Sequence, residues 1–135
     1  MNQNVFGCYS EYLFAVKAME NNLLVSFPLL NTSVYDCIVD SPNGLLKVQI
    51  KGINEKNRKR NRILLKDTSG KYYNKNDVDF FAIYSKERNG FFIIKNDGKI
   101  KSFTLGLKKC RSEKIAEEMI KETTGLNDFK RFFKT

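Results

Sequence analysis

The chain contains no histidine, and this absence excludes several kinds of active site. Histidine-dependent catalytic triads, histidine-ligated metals and the histidine-based nuclease motifs all need an imidazole. A general base in this chain must therefore be a carboxylate, a lysine or a metal-bound water. The cysteines, Cys8, Cys37 and Cys110, are odd in number and scattered. They fit a reducing compartment and indicate neither a disulfide framework nor a zinc site.

Long apolar segments are missing as well. No apolar run approaches the ~20 residues of a membrane-spanning helix. The first basic residue is Lys17, so the basic start of a signal peptide is lacking. The glycines form no phosphate-binding motif. These features predict a cytoplasmic protein that does not enter a membrane.

Acidic residues are outnumbered by basic ones. The 135 residues include 15 Asp and Glu against 24 Lys and Arg, which gives a net charge of +9. This surplus predicts a polyanionic partner, with nucleic acid first and an anionic membrane surface second. The alternative is a soluble protein that is merely basic. The length suits one domain with a real core, and a hydrophobic content of 41% is typical of a globular chain.

The apolar pattern predicts a mixture of helices and strands. A stripe of Tyr9, Leu13 and Val16 predicts a helix over 5–20. A nearly continuous apolar run over 78–84 is typical of a central strand buried on both faces. Strands are also predicted over 91–95 and 100–105, joined as a hairpin by the turn 96–98.

The remaining predicted elements complete one domain over 1–135. Four further strands are predicted, over 23–27, 34–40, 45–51 and 62–67. A helix beginning at Ser112 and ending near Gly125, and a short one over 128–133, form a helical C-terminal segment over about 112–135. We expect a central mixed sheet flanked by helices.

The hairpin predicted over 35–51 carries the most informative pattern. Its turn, 41–44, is rich in turn-forming residues and pairs Asp40 with Leu45. Because side chains alternate between the faces of a strand, one face of this hairpin is apolar. That face consists of Tyr35, Cys37, Val39, Leu46, Val48 and Ile50.

The other face of the hairpin gathers polar groups. The same register places Asp36 opposite Gln49, with Cβ atoms roughly 5 Å apart, and Lys51 lies one diagonal step away. An acid, an amide oxygen and an ammonium so close together can hold a divalent metal and a phosphate. Aspartate is depleted in strand interiors, which favours Asp36 as a metal ligand over an unpartnered edge-strand residue. Asp40 shares the face but borders the turn, which favours a structural role.

Three neighbouring groups can complete this site. The Gln49 amide oxygen can coordinate a metal or orient a water, although it brings no charge. Ile50 can contribute its backbone carbonyl. The Lys51 ammonium can polarise a phosphate, place a water or stabilise developing charge. The alternative for Lys51 is an ordinary solvated lysine at a strand end.

Glu11 is the candidate for a second carboxylate. It lies on a helix ridge of small residues, Cys8, Ala15 and Ala18, which can approach a sheet closely. A carboxylate that is partly buried there needs a partner such as a metal or Lys51. The alternative is a glutamate stabilised by the helix dipole.

The segment 51–66 is strongly basic. It contains one acid, Glu55, and its cations include Lys56, Arg58, Lys59, Arg60 and Arg62. Beside an active site these residues would contact DNA phosphates, which positions a duplex without reading its sequence. The alternative is a flexible solvated loop.

These motifs together resemble the PD-(D/E)XK nuclease superfamily. The matching residues are Gly7-Cys8-Tyr9-Ser10-Glu11, Tyr35-Asp36, Gln49-Ile50-Lys51 and the run from Asn76 to Tyr84. The likeness covers roughly the first 95 residues. It is closest to the branch that contains an intron-encoded homing endonuclease, in which glutamine replaces the second acid. Archaeal Holliday-junction resolvases are more distant relatives.

The resemblance implies a restriction-endonuclease-like core of the α/β (α+β) class and Mg²⁺-dependent hydrolysis of DNA, with Mn²⁺ as a substitute. Asp36, Gln49 and the Ile50 carbonyl would bind the metal, and Glu11 would add a direct or water-mediated carboxylate. Lys51 would assist the attack of metal-bound water on phosphorus. Glutamine at position 49 departs from the commoner acid, so metal affinity would depend on Glu11.

The resemblance also implies a partner and an assembly. The substrate would be double-stranded or branched DNA. Because cutting both strands with one site per chain calls for two copies related by a two-fold axis, we expect a homodimer or homotetramer. The predicted role is homing-endonuclease-like cleavage. The alternatives are junction resolution, restriction, or a non-catalytic DNA-binding module of the same fold, for which neutral Gln49 is the main argument.

Overall fold

The structure, a computed structural model, describes residues 1–30, 33–54, 62–104 and 126–133. Within these ranges the chain forms one α-helix, seven strands and a short 3₁₀ helix. Their bounds are α1 (Gln3–Glu20), β1 (Leu24–Ser26), β2 (Cys37–Ser41), β3 (Gly44–Ile53), β4 (Arg62–Leu64), β5 (Phe80–Ser85), β6 (Gly90–Lys95), β7 (Ser102–Thr104) and the 3₁₀ helix Phe129–Phe133.

Helix α1 has defined ends that agree with the predicted helix over 5–20. The Asn2 side chain caps its start by accepting a hydrogen bond from the Val5 N–H at 2.9 Å. The helix ends at Asn21, and Asn22 takes a left-handed conformation with φ 62°. Asparagine tolerates this conformation better than most residues, which explains why the chain turns here.

The buried face of α1 differs from the predicted one. Tyr9 is 41% exposed and Val16 is 45% exposed, so the predicted Tyr9–Leu13–Val16 stripe is wrong. The buried helix residues are instead Ser10, Phe14, Ala15 and Ala18. Apolar residues occur all around this helix, and the face with small side chains allows the close approach to β3.

A five-stranded mixed sheet forms the centre of the molecule, in the order β1-β2-β3-β5-β6. β3 and β5 are parallel, whereas the other neighbouring pairs are antiparallel. The predicted hairpin register is confirmed: Asp40 pairs with Leu45, and pairing continues to Ser41 and Gly44. β5 is buried along its whole length, as its apolar run predicts.

The predicted hairpin between 91–95 and 100–105 is wrong. β6 pairs with β5, whereas β7 pairs with β4 in a separate two-stranded sheet. The turn between them is present, since the Asp97 carboxylate accepts the Lys99 and Ile100 N–H groups. The buried Asn96 side chain donates to the carbonyls of Asn74 and Val78, which anchors this turn against another segment. The chain therefore leaves β6 and crosses to the small sheet.

Each face of the main sheet packs on its own core. The first core lies beneath α1 and the 3₁₀ helix and is centred on Phe14, Val48, Ile50, Phe91 and Phe132. The second lies beneath the small sheet and contains Ile53, Leu65, Tyr73, Phe81 and Phe103. The architecture is thus α+β, as predicted. No helix in the described part of the chain is long and apolar enough to span a membrane.

Two predicted segments fall outside the described residues. These are the helix from Ser112 to Gly125 and the basic loop that carries Lys56, Arg58, Lys59 and Arg60. The short helix predicted over 128–133 corresponds to the 3₁₀ helix, which buries Phe129 and Phe132 in the first core. A single domain over 1–135 stays a prediction.

Candidate active site

Asp36 lies directly before β2 and extends its pairing with β3. Its N–H donates to the Val48 carbonyl at 2.9 Å, and its Oδ2 accepts the Ile50 N–H at 2.8 Å. Asp36 therefore lies alongside Gln49, as the predicted register required. Because the N–H and C=O of a strand residue point to the same side, the Ile50 carbonyl is directed towards the side on which Asp36 lies.

Helix α1 brings a second carboxyl group to Asp36. The Glu11 carboxyl hydrogen-bonds to that of Asp36, and the pKa of Glu11 is raised to about 7. Burial is the main cause, and the charge of Asp36 and the shared hydrogen bond add to it. Burial also raises the pKa of Asp36, against the opposing effects of the Ile50 N–H, Glu11 and Lys51. Glu11 therefore stays protonated to a higher pH than an ordinary glutamate does.

This pair of acids suits a hard divalent cation. Mg²⁺ usually takes one or two carboxylates together with waters, so Glu11 and Asp36 are sufficient acidic ligands. Within the described ranges no cluster of three or more His, Cys, Asp or Glu residues could hold a metal. Any further protein ligands would therefore be neutral oxygens, such as the Ile50 carbonyl and the amide of Gln49, the residue before Ile50 in β3.

Gln49 and Lys51 lie on the face of β3 that points away from α1. Their neighbours Val48 and Ile50 are buried in the core beneath the helix, and side chains alternate along a strand. Gln49 is half-buried there. The structure therefore brings Asp36, Gln49 and Lys51 to one end of β2, with Glu11 approaching from the helix.

Lys51 is held by contacts that the sequence did not reveal. Its Nζ donates to the Lys66 carbonyl at 3.2 Å and lies 5.5 Å from the centroid of the Tyr73 ring. Burial lowers the pKa of Lys51, whereas the charges of Asp36 and Asp67 raise it. The ammonium is therefore close enough to Asp36 for electrostatic coupling.

The acids and the lysine of this site each line a concavity. One, of about 220 Å³, is lined by Glu11 and Asp36 together with residues of the β1–β2 connection such as Leu29 and Tyr35. A larger one, of about 830 Å³, is lined by Lys51, Gly52 and Lys86 among others. The two acids and Lys51 are thus all accessible from the surface.

Gly52 is a positioning residue that sequence reasoning missed. A Cβ at this position would lie 2.7 Å from Ser10 Oγ and 2.7 Å from Phe6 Cε2. Gly52 follows Lys51 in β3, and Ser10 precedes Glu11 in α1. The absence of a side chain at Gly52 therefore sets the distance between helix and strand at the site.

Replacing Gly52 with valine is expected to displace α1 and to separate Glu11 from Asp36. The variant should melt at a lower temperature and lose most of the DNA cleavage that the family resemblance implies. Gly7→Ala is the matched control, because nothing lies within 4 Å of a Cβ there, and alanine in a helix gains roughly 0.5–1 kcal/mol over glycine. Thermal melting and plasmid cleavage check both variants. Wild-type melting and cleavage in Gly52→Val would show that the close approach is unimportant.

The predicted DNA-contact residues are mostly outside the described ranges. Lys56, Arg58, Lys59 and Arg60 belong to the segment 55–61, whereas Arg62 begins β4 and is exposed. Their role in DNA binding stays a prediction.

Comparisons with known proteins identify the family and the fold of the chain. The PD-(D/E)XK endonuclease family matches the chain over residues 1–127, further than the resemblance over the first 95 residues. A similar solved structure is that of a bacterial homing endonuclease, I-Ssp6803I, with a TM-score of 0.63 and 24% sequence identity. The match covers 83% of each chain and shows the shared fold. No curated protein sequence matches the chain.

Proposed function

Because the chain belongs to the PD-(D/E)XK endonuclease family, we propose that it is a divalent-metal-dependent DNA endonuclease with Mg²⁺ as its preferred ion and Mn²⁺ as a substitute. The observation that carries this proposal is the hydrogen-bonded, partly buried Glu11–Asp36 pair beside the Lys51 ammonium. Two acids buried against each other are costly unless a cation or a proton compensates them. Nucleases of this family generally use divalent metal ions, which is the compensation that this pair needs.

Each residue of the site has a separate role in this proposal. The Ile50 N–H fixes the Asp36 carboxylate, so that its other oxygen is free to act as a ligand. Glu11 would give up its proton to make room for the cation, and Gln49 and the Ile50 carbonyl would supply neutral oxygens. When bound, the cation would polarise the scissile phosphate and acidify a water. Lys51 stabilises the negative charge that develops on the phosphate oxygens.

The proposed substrate is double-stranded or branched DNA. The net charge of +9 favours a polyanion, and the family implies a nucleic acid. Homing-endonuclease-like cleavage is the role we favour within this class, with junction resolution and restriction as alternatives. The neutral Gln49 keeps one other function open, a DNA-binding module without catalysis.

We also propose that the chain acts as a homodimer or homotetramer. Large apolar side chains are exposed beside the site: Leu29 is 100% exposed and Leu30 is 68% exposed. Nearby, the exposed Tyr12 of α1 packs against Phe27 with tilted rings, at 5.9 Å between ring centroids. Exposed apolar surface of this kind is typical of protein–protein contacts.

Nicking of supercoiled plasmid tests the proposed function. We expect nicked and linear DNA with Mg²⁺ or Mn²⁺ and none with EDTA. DNA binding without any nicking would instead establish the non-catalytic module. Comparing a four-way junction with a linear duplex of the same sequence distinguishes resolution from duplex cleavage.

The raised pKa of Glu11 predicts how stability depends on pH. Because Glu11 has a pKa of about 7 when folded and 4.5 otherwise, the folded state binds the extra proton between these values. The metal-free protein should therefore lose stability as pH rises through this window. Melting in EDTA at about pH 5 and about pH 8 should show a larger decrease for wild type than for Glu11→Gln.

Metal should reverse this loss. Since a cation needs the deprotonated acids, Mg²⁺ should raise the melting temperature more at the higher pH than at the lower one. Equal pH responses of wild type and Glu11→Gln would show that Glu11 does not hold the proton.

A further inference from the structure

A second cluster of charged residues lies around the small sheet, beyond the two carboxylates. Lys66 Nζ is 4.8 Å and Lys101 Nζ is 5.4 Å from the centroid of the Tyr72 ring. Lys66 pairs with Tyr72 across the turn that follows β4, and the Leu65 N–H donates to the Lys101 carbonyl at 3.0 Å. The local pairing of three chain segments thus brings two ammonium groups to one aromatic ring.

Within the described part of the chain, the two ammonium groups of this cluster form no ion pair. The ion pairs of the described ranges involve Lys17 and Arg131, and neither Lys66 nor Lys101 takes part in one. Two ammonium groups that share a ring repel each other, and a cation–π contact offsets this repulsion only in part. An anion between them would remove the repulsion.

Asp67, the residue next to Lys66, is already engaged in the turn. Its Oδ1 accepts hydrogen bonds from the Ser69 N–H at 2.9 Å, the Ser69 hydroxyl at 2.6 Å and the Lys71 N–H at 3.0 Å. These bonds lower the pKa of Asp67 and hold its carboxylate in the turn. Asp67 therefore compensates the charge of the neighbouring lysines only in part, and the cluster keeps a net positive charge.

The cluster is continuous with the candidate active site. The carbonyl of Lys66 accepts the hydrogen bond from Lys51 Nζ, so one residue contributes to both places. Tyr72 is 37% exposed and Lys101 is exposed, so a large ligand can reach them. A polymer bound at Lys51 therefore lies next to the backbone of Lys66, whose side chain extends to the Tyr72 ring.

We propose that Lys66, Tyr72 and Lys101 form a binding site for a backbone phosphate of the DNA strand, adjacent to the phosphate that is cleaved. This inference rests on the proposed function, because its ligand is the DNA substrate. Lysine binds phosphate as a point charge, and the Tyr72 ring keeps the two charges together. A contact of this kind positions the duplex and carries no sequence information.

Salt-dependent DNA binding tests the proposal. Fluorescence anisotropy of a labelled duplex is measured in EDTA over a range of salt concentrations, so that cleavage does not interfere. The matched control for Lys66→Ala/Lys101→Ala is Lys95→Ala/Lys130→Ala, which removes the same charge from two exposed lysines of β6 and the 3₁₀ helix. Circular dichroism and melting establish that each variant is folded.

The first variant should lose much more affinity than the control. Loss of this one phosphate contact should flatten the slope of log K against log salt by about 1 and weaken binding about tenfold more than the control does. Equal affinities and slopes in the two double variants would overturn the proposal.

The ring has a separate test. Tyr72→Ala keeps both charges but frees the lysines, so binding should weaken several-fold, whereas Tyr72→Phe should bind as wild type does. Wild-type binding by Tyr72→Ala would overturn the assignment of the ring.

Plasmid nicking by wild type tests the proposed function independently of this inference. If wild type nicks plasmid but Lys66→Ala/Lys101→Ala binds DNA as well as the control does, only the phosphate site is refuted. If Lys66→Ala/Lys101→Ala loses binding but wild type does not nick plasmid, only the proposed nuclease activity is refuted.

Discussion

Replacing Asp36 with asparagine is expected to reduce cleavage of DNA at least about 100-fold, because the proposed charged metal ligand would be lost. The asparagine oxygen can still accept the Ile50 N–H, so the fold should be retained. DNA binding in the absence of metal should persist or tighten, since a negative charge that faces phosphate is gone. Plasmid nicking and anisotropy measure the two effects.

Asp40→Asn is the matched control for this substitution. Asp40 lies in the same hairpin and is exposed, so the change removes the same charge without touching the site. It should cleave at nearly the wild-type rate. Retained metal-dependent cleavage in Asp36→Asn would refute the assignment of Asp36, and an equal loss in both variants would indicate a general effect of charge.

Replacing Lys51 with methionine is expected to have the next largest effect, a loss of cleavage of roughly 10²–10³-fold. Methionine keeps most of the apolar stem beside Tyr73 but removes the ammonium that stabilises charge on the phosphate. Metal binding should be retained, because Lys51 is not a ligand. Single-turnover cleavage at saturating metal and DNA isolates this step from binding.

Lys47→Met is the control for Lys51. Lys47 points to the same face of β3, where its ammonium donates to the Asn76 carbonyl away from Asp36. It should have little effect on the rate. Lys51→Arg should recover only part of the activity, because a planar guanidinium cannot occupy the position of a compact ammonium. A wild-type single-turnover rate in Lys51→Met would exclude a role in the chemical step.

The hairpin and its polar residues were predictable because local rules determine them. A tight turn fixes the register, and the alternation of side chains then assigns each residue to a face, so Asp36 had to lie beside Gln49. The buried strand β5 was predictable for a similar reason, since a continuous apolar run requires cover on both faces.

The misplaced features depend on contacts between distant segments. Helix α1 carries aromatic residues on several faces, and the close approach at Gly52 selects the one with Ser10 and Phe14. A turn signal after β6 cannot specify which strand β7 will pair with, because that choice depends on the whole sheet. The bond between Lys51 and Lys66 joins residues that no local pattern connects.

The assignment of Glu11 and Asp36 as the cation site is tested most directly by calorimetric titration of Mn²⁺ into four proteins: wild type, Asp36→Asn, Glu11→Gln and Asp40→Asn. We expect saturable binding to wild type and Asp40→Asn, weaker binding to Glu11→Gln and none to Asp36→Asn. Binding to wild type near neutral pH should also release a proton, because Glu11 has a pKa of about 7. Equal Mn²⁺ affinity in wild type and Asp36→Asn would contradict the account.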